Sequence, residues 1–140
     1  MKLVFSTEHG RRSSFLRTCE IAHEYGYKGF EIYNALEEKK LHADSVLRSE
    51  VSADAKRKLR NRDLQIAAIT YPEALDSEAA NPKTLVQYVD FAANAGVDYI
   101  VVSINNQPDI FKLKQVLAPA IAKAENTGIE ILLETKGYLA

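Results

Sequence analysis

The chain has 140 residues, 46% of them hydrophobic and 26% charged, the balance of an ordinary globular protein and long enough for one domain with its own core. A formal net charge of −1 excludes a general electrostatic pull toward nucleic acid or anionic membrane, and a single cysteine, Cys19, excludes an internal disulfide or a Cys-rich zinc module. No apolar run approaches a membrane span, and the N-terminus MKLVFSTEHG turns polar too early for a signal peptide, so a soluble cytoplasmic protein is expected.

The first element is a short strand, KLVFS. The helix after it has Phe15, Thr18, Ala22 and Tyr25 on one face, with Ser13 or Ser14 available as N-cap. Then comes EYGYKGFEIY (24–33), the first copy of a weak internal repeat: a helix tail, a glycine, a short apolar strand. NAGVDYIVVSI (94–104) and NTGIEILLE (126–134) repeat it. Gly26, Gly96 and Gly128 fall where a helix stops in a left-handed residue, and in NRDLQIAAITYP (61–72) Asn61 or Asp63 takes that place.

Between the second strand and the second helix lies a polar stretch, roughly 34–51, whose charge run Glu37–Lys40 reads as solvated surface. The third helix has the clearest start, Asn81 as N-cap and Pro82 at the first helical position, with an apolar stripe of Leu85, Tyr88, Val89, Ala92 and Ala95. The fourth runs from about Asp109 to Asn126, with Leu113, Val116, Leu117, Ala120, Ile121 and Ala124 expected inward.

The candidate strands begin near residues 2, 29, 64, 98 and 129. That spacing suits the roughly 31 residues per unit of a (β/α)8 barrel of about 250 residues. The strands are continuous apolar runs, as in parallel sheets covered on both faces. Two architectures fit: a complete doubly wound sheet, or a barrel cut off beyond its fifth strand. The first would need a helix over the last strand and a phosphate loop such as GxGxxG after the first, and SFLRTCE is not one. The expected fold is therefore α/β, a truncated (β/α)8 TIM barrel, parallel in the order 1-2-3-4-5, forming a single domain over 1–140.

In such barrels the chemistry sits at the C-terminal ends of the strands. Those ends carry Ser6, Thr7, Glu8 and His9, then Tyr33 and Asn34, then Thr70 and Tyr71, then Ser103, Asn105 and Asn106, and last Glu134, Thr135 and Lys136. This polar ring suits a small, hydroxyl-rich ligand.

The segments GYKGFEIYN, LQIAAITYP and above all GIEILLETKG resemble the xylose isomerase-like barrels, the sugar phosphate isomerase/epimerase superfamily. Members often carry a glycine-aromatic-x-x-apolar-Glu signature on the second strand, matched here by Gly26 to Glu31, and a Glu ending the fifth, matched by Glu134. The resemblance implies a divalent metal (Mn, Mg, Co or Zn) at the barrel mouth with Glu134 as one ligand. The metal gathers two oxygens of an open-chain sugar while a carboxylate moves a proton between neighbouring carbons. The other family ligands come from strands six to eight. Relatives often read Glu-Thr-His where this chain has Glu134-Thr135-Lys136, which puts any role of that histidine in doubt. The superfamily also includes endonuclease IV, whose third and fourth strands end in metal-binding histidines. Here they end in Thr70-Tyr71 and Ser103-Ile104-Asn105, so a three-zinc phosphodiesterase site is not expected.

The expected site is thus Glu134 for catalysis and metal, with His9, Tyr33, Asn34, Tyr71, Asn105 and Lys136 toward the substrate. Glu31 reads equally as a structural carboxylate, and Cys19 as core. His23 and His42 read as solvent-facing. Lys56, Arg57, Lys58, Arg60 and Arg62 read as solvated surface at a helix C-terminus, where cations are favoured anyway. The leading function is part of a metal-dependent sugar or sugar-phosphate isomerase or epimerase, inactive without strands six to eight. The competing one is a barrel-derived domain that binds a ligand or partner without turnover. Exposed strand edges predict a homo-oligomer or a fragment of a longer chain; the expected partner is a small sugar, with no nucleic acid or membrane.

Overall fold

The computed structural model describes residues 3–6, 15–33, 57 and 59–134. His9, Asn34 and Lys136, Thr135, His42 and most of the second expected helix lie outside the described residues.

The elements, in chain order, are β1 (Val4–Ser6), α1 (Phe15–Glu24), β2 (Gly29–Tyr33), β3 (Gln65–Thr70), α2 (Pro82–Ala95), β4 (Tyr99–Ser103), α3 (Ile110–Thr127) and β5 (Glu130–Glu134). The strands form one five-stranded parallel sheet in the order β1-β2-β3-β4-β5. The doubly wound order 2-1-3-4-5 is thereby excluded.

Local chemistry sets the element ends. Asn81 takes an extended conformation and its side chain accepts from the Lys83 N–H at 2.9 Å, while Pro82 occupies the first turn, where its missing N–H leaves no bond unmade. Asp109 does the same for α3 through the Phe111 N–H, also at 2.9 Å. Gly96 and Gly128 close α2 and α3 in the left-handed region, with φ of 66° and 73°. Asp63, at φ 53°, plays that part before β3, as one of the two candidates there. Pro119 stands inside α3, exposed, where it withholds one helical N–H.

The packing follows from strand alternation. Phe30, Ile32, Ile69, Ile100 and Val102 are buried and join one core cluster with Cys19 and Ala22 of α1, Leu85, Tyr88, Val89 and Ala92 of α2, and Val116, Ala120 and Ala124 of α3. Each large apolar side chain so buried contributes about 1.5–3 kcal/mol. The described helices therefore cover one face of the sheet. Register places Ser6, Glu31, Tyr33, Thr70, Val101, Ser103, Leu132 and Glu134 on the other.

Two helix-stripe expectations fail at the margins. Tyr25 lies past the end of α1 and is 75% exposed, and Ile121 on the flank of α3 is 43% exposed. Both fall on an ideal helical face but outside the arc that meets the sheet.

Candidate functional site

A bulge fixes the polar face. Gly29 and Phe30 pair with Gln65 and Ile66, but Glu31 pairs with Ala68, so Ala67 is an extra residue on β3. The shift sets Tyr33 beside Thr70 and brings the Thr70 hydroxyl, diagonally across the strands, to donate to Oε1 of Glu31. Thr70 is 5% exposed and Glu31 half-buried, so this bond supplies polar compensation that a carboxylate between strands requires. Farther along the rim, Ser103 and Glu134 are paired residues of β4 and β5, both half-buried.

Two loops complete the described part of the rim. After β3, the Tyr71 N–H donates to the Val101 carbonyl at 2.9 Å and the Leu75 N–H to the Ser103 carbonyl at 2.8 Å. Asp76 then reaches the loop after β4, where its carboxylate accepts from the backbone N–H groups of Asn105 at 2.9 Å and Asn106 at 3.0 Å, and from Nδ2 of Asn106 at 3.0 Å. The Asn105 N–H foremost, with the backbone and side chain of Asn106, holds the Asp76 carboxyl below its usual value against the opposing effect of desolvation.

The sequence-predicted residues divide. Tyr33 and Glu134 stand on the open face, and Asn105 is exposed at the rim with its N–H held by Asp76. Tyr71 is instead 1% exposed: its ring meets Tyr88 edge-on with centroids 5.2 Å apart, and its hydroxyl accepts from the N–H of the cap residue Asn81 at 3.0 Å. Its strand-end position suggested the ligand, and the structure places it in the core beneath the rim. Asp76 was not singled out from sequence, because its partners lie 29 and 30 residues away and no local pattern announces them.

Among the described residues, no group of three or more His, Cys, Asp or Glu side chains is arranged to hold a metal ion. Glu134 is at most one ligand of such an ion. A cavity of about 800 Å³ opens at the opposite end of the sheet, lined by residues such as Lys28, Asp63, Gln65 and Asp98. In β/α barrels that end concerns stability rather than chemistry. No described helix is long and apolar enough to cross a membrane.

No protein-family model matches the sequence, and no curated protein matches it. Solved structures do. A probable 3-DHS dehydratase, AsbF, from Bacillus anthracis is similar at a TM-score of 0.72 and 20% identity, over 98% of this chain and 53% of that one. A xylose isomerase domain protein from Alicyclobacillus acidocaldarius is similar at 0.70 and 18%, over 95% and 49%. An IOLI protein with a bound zinc atom is similar at 0.68 and 20%, over 95% and 51%. The chain spans about half the length of these structures. Strand order, one-sided helices and these likenesses together give it the fold of the N-terminal five strands of a xylose isomerase-like TIM barrel.

Proposed function

We propose that the chain forms part of a divalent-metal-dependent sugar or sugar-phosphate isomerase or epimerase, in which Glu134 binds the metal and helps move the substrate proton. The observation that carries this reading is the place of Glu134: the C-terminal end of β5, paired with Ser103, on the face turned from the helices. Isomerisation and epimerisation both remove a proton from a carbon beside a carbonyl, and a half-buried carboxylate at a strand end is suited to accept it. A bound divalent ion would polarise the carbonyl oxygen and make that proton more acidic. The zinc in the IOLI protein and the description of the Alicyclobacillus protein as a xylose isomerase domain support the class.

The remaining roles follow from the rim. Tyr33 and Asn105 offer a hydroxyl and an amide to sugar hydroxyls, and His9, Asn34 and Lys136 join them by sequence position. One carboxylate cannot complete a coordination shell, so in this reading the other ligands come from strands six to eight of a complete barrel, and the 140 residues alone are expected to bind metal weakly. The protein is expected in the cytoplasm.

The test is Glu134→Gln in the complete barrel. Size is kept and charge removed, so Mn²⁺ affinity and turnover of an aldose should each fall by orders of magnitude, on the order of the losses seen when a metal ligand or catalytic base is removed. Stability should change little. A Gln variant that binds Mn²⁺ and turns over sugar like the parent reduces Glu134 to a strand-end acid. Sugar binding without turnover in the parent would instead make this a binding domain.

A further inference from the structure

We propose that Asp76 is a positioning residue of the rim: its carboxylate fixes the segment after β4 so that Asn105 meets the ligand's hydroxyls beside Glu134. The ligand part of this inference rests on the function proposed above; the fixing of the segment does not.

The geometry is specific. Oδ1 of Asp76 accepts from the Asn105 N–H at 2.9 Å, and Oδ2 from both the Asn106 N–H and its Nδ2, each at 3.0 Å. Two consecutive backbone N–H groups thus converge on one carboxylate, an arrangement that binds anions well. Charged acceptors make hydrogen bonds roughly twice as strong as neutral ones. The neighbouring residue adds a second grip, since fully buried Leu75 donates its N–H to the Ser103 carbonyl at 2.8 Å. Leu75 and Asp76 of one loop therefore hold Ser103, the last residue of β4, and Asn105 and Asn106 in the loop after it.

What is held bears on the ligand. Ile104 is 3% exposed and anchors the segment in the core, while Ser103 before it and Asn105 after it are more exposed. Burial alternates past the end of β4, with Val102 and Ile104 buried and Ser103 and Asn105 more exposed, which puts Asn105 on the side of Ser103 and so of its β5 partner, Glu134. A loop left to itself would spread Asn105 over many positions, and a polar contact is worth most when its donor is already in place. Asn offers one acceptor oxygen where Asp offers two, and its NH2 would face donors. Ala offers none.

The experiment compares the parent with Asp76→Asn and Asp76→Ala. Amide hydrogen exchange reads the clamp directly. The Asn105 and Asn106 amides should exchange more than about tenfold faster in the Ala variant, with the Asn variant between, while Ile100 and Val102 in β4 stay protected. Steady-state kinetics of the complete barrel, with Mn²⁺ and a panel of aldoses as the probe, reads the consequence. Asp76→Ala should raise KM about tenfold with kcat changed less than about threefold, and Asp76→Asn should recover part of the loss. Unchanged exchange at Asn105 and Asn106 overturns the clamp. A fall in kcat at constant KM overturns the positioning role. If the parent turns over none of the aldoses, the proposed function falls and the exchange measurement alone decides the clamp. If the Ala variant does not fold, the Asn variant carries both measurements.

Discussion

The hydroxyl of Thr70 on β3 donates to the carboxylate of Glu31 on β2, joining two strands through side chains on the face that the helices leave open. Removing only the donor should be worse than removing both groups. Thr70→Val keeps the shape and strands the half-buried carboxylate, at a cost of about 1–3 kcal/mol. Adding Glu31→Leu should recover part of that loss, with a coupling of about 0.5–3 kcal/mol in a double-mutant cycle. Urea unfolding of the four proteins measures it; additive losses would show that the pair does not interact.

Gly29 presents a different kind of constraint. A Cβ there would stand 2.6 Å from the backbone carbonyl oxygen of Gln65, its partner on β3. Backbone cannot step aside as a flexible side chain can. Gly29→Ala should therefore destabilise the protein by about 1–3 kcal/mol, the usual range for overpacking. An unchanged denaturant midpoint would mean that the β2–β3 register relaxes at no cost.

Acid should loosen the rim through Asp76. Its folded carboxyl titrates below the ordinary 3.8 because the N–H groups of the β4 loop favour the charged form. A depressed folded value gives stability that is present above the unfolded value and is lost as pH falls through the folded one. The parent should thus lose stability relative to Asp76→Asn as pH drops from about 5 toward 2. Glu73, Glu78 and Asp109 also lie in the two loops, so the difference between parent and variant, not the parent curve alone, reports Asp76. Parallel curves over that range would rule out the assignment.

Pro119 invites a gain rather than a loss. It is exposed inside α3, lacks the N–H that would reach the Gln115 carbonyl, and makes no described contribution to the core. Interior proline is disfavoured by about 3 kcal/mol against alanine in a helix. Pro119→Ala should raise the melting temperature, which calorimetry would register. A lower value would mean that α3 needs the distortion to meet the sheet.

Features written in adjacent residues were legible in the sequence: Asn81-Pro82 opening α2, Gly96 and Gly128 closing helices, and, as one of two candidates, Asp63 doing so without glycine. Strand spacing carried the topology, because each crossover uses about the same length of chain. The expected inward faces of α2 held in full, since that helix lies centrally over the sheet. The periphery was less readable, as Tyr25 and Ile121 demonstrate. Long-range polar geometry was not readable at all. Whether Tyr71 turns to the ligand or to Tyr88, where β3 bulges, and what Asp76 holds all depend on partners from distant parts of the chain. Glu134 stood out as an acid directly after an apolar run and through the resemblance of GIEILLETKG to the family's fifth strand.

The strand order also has a kinetic side. Every strand after the first lies beside the one that precedes it in the chain. Each pairing therefore closes a single crossover connection, and no strand waits for a partner that has not been made. Such neighbouring pairings cost less loop-closure entropy than pairings of distant segments, although every parallel pairing still spans a whole crossover. During synthesis the sheet can lengthen one unit at a time, with the newest strand as its growing edge.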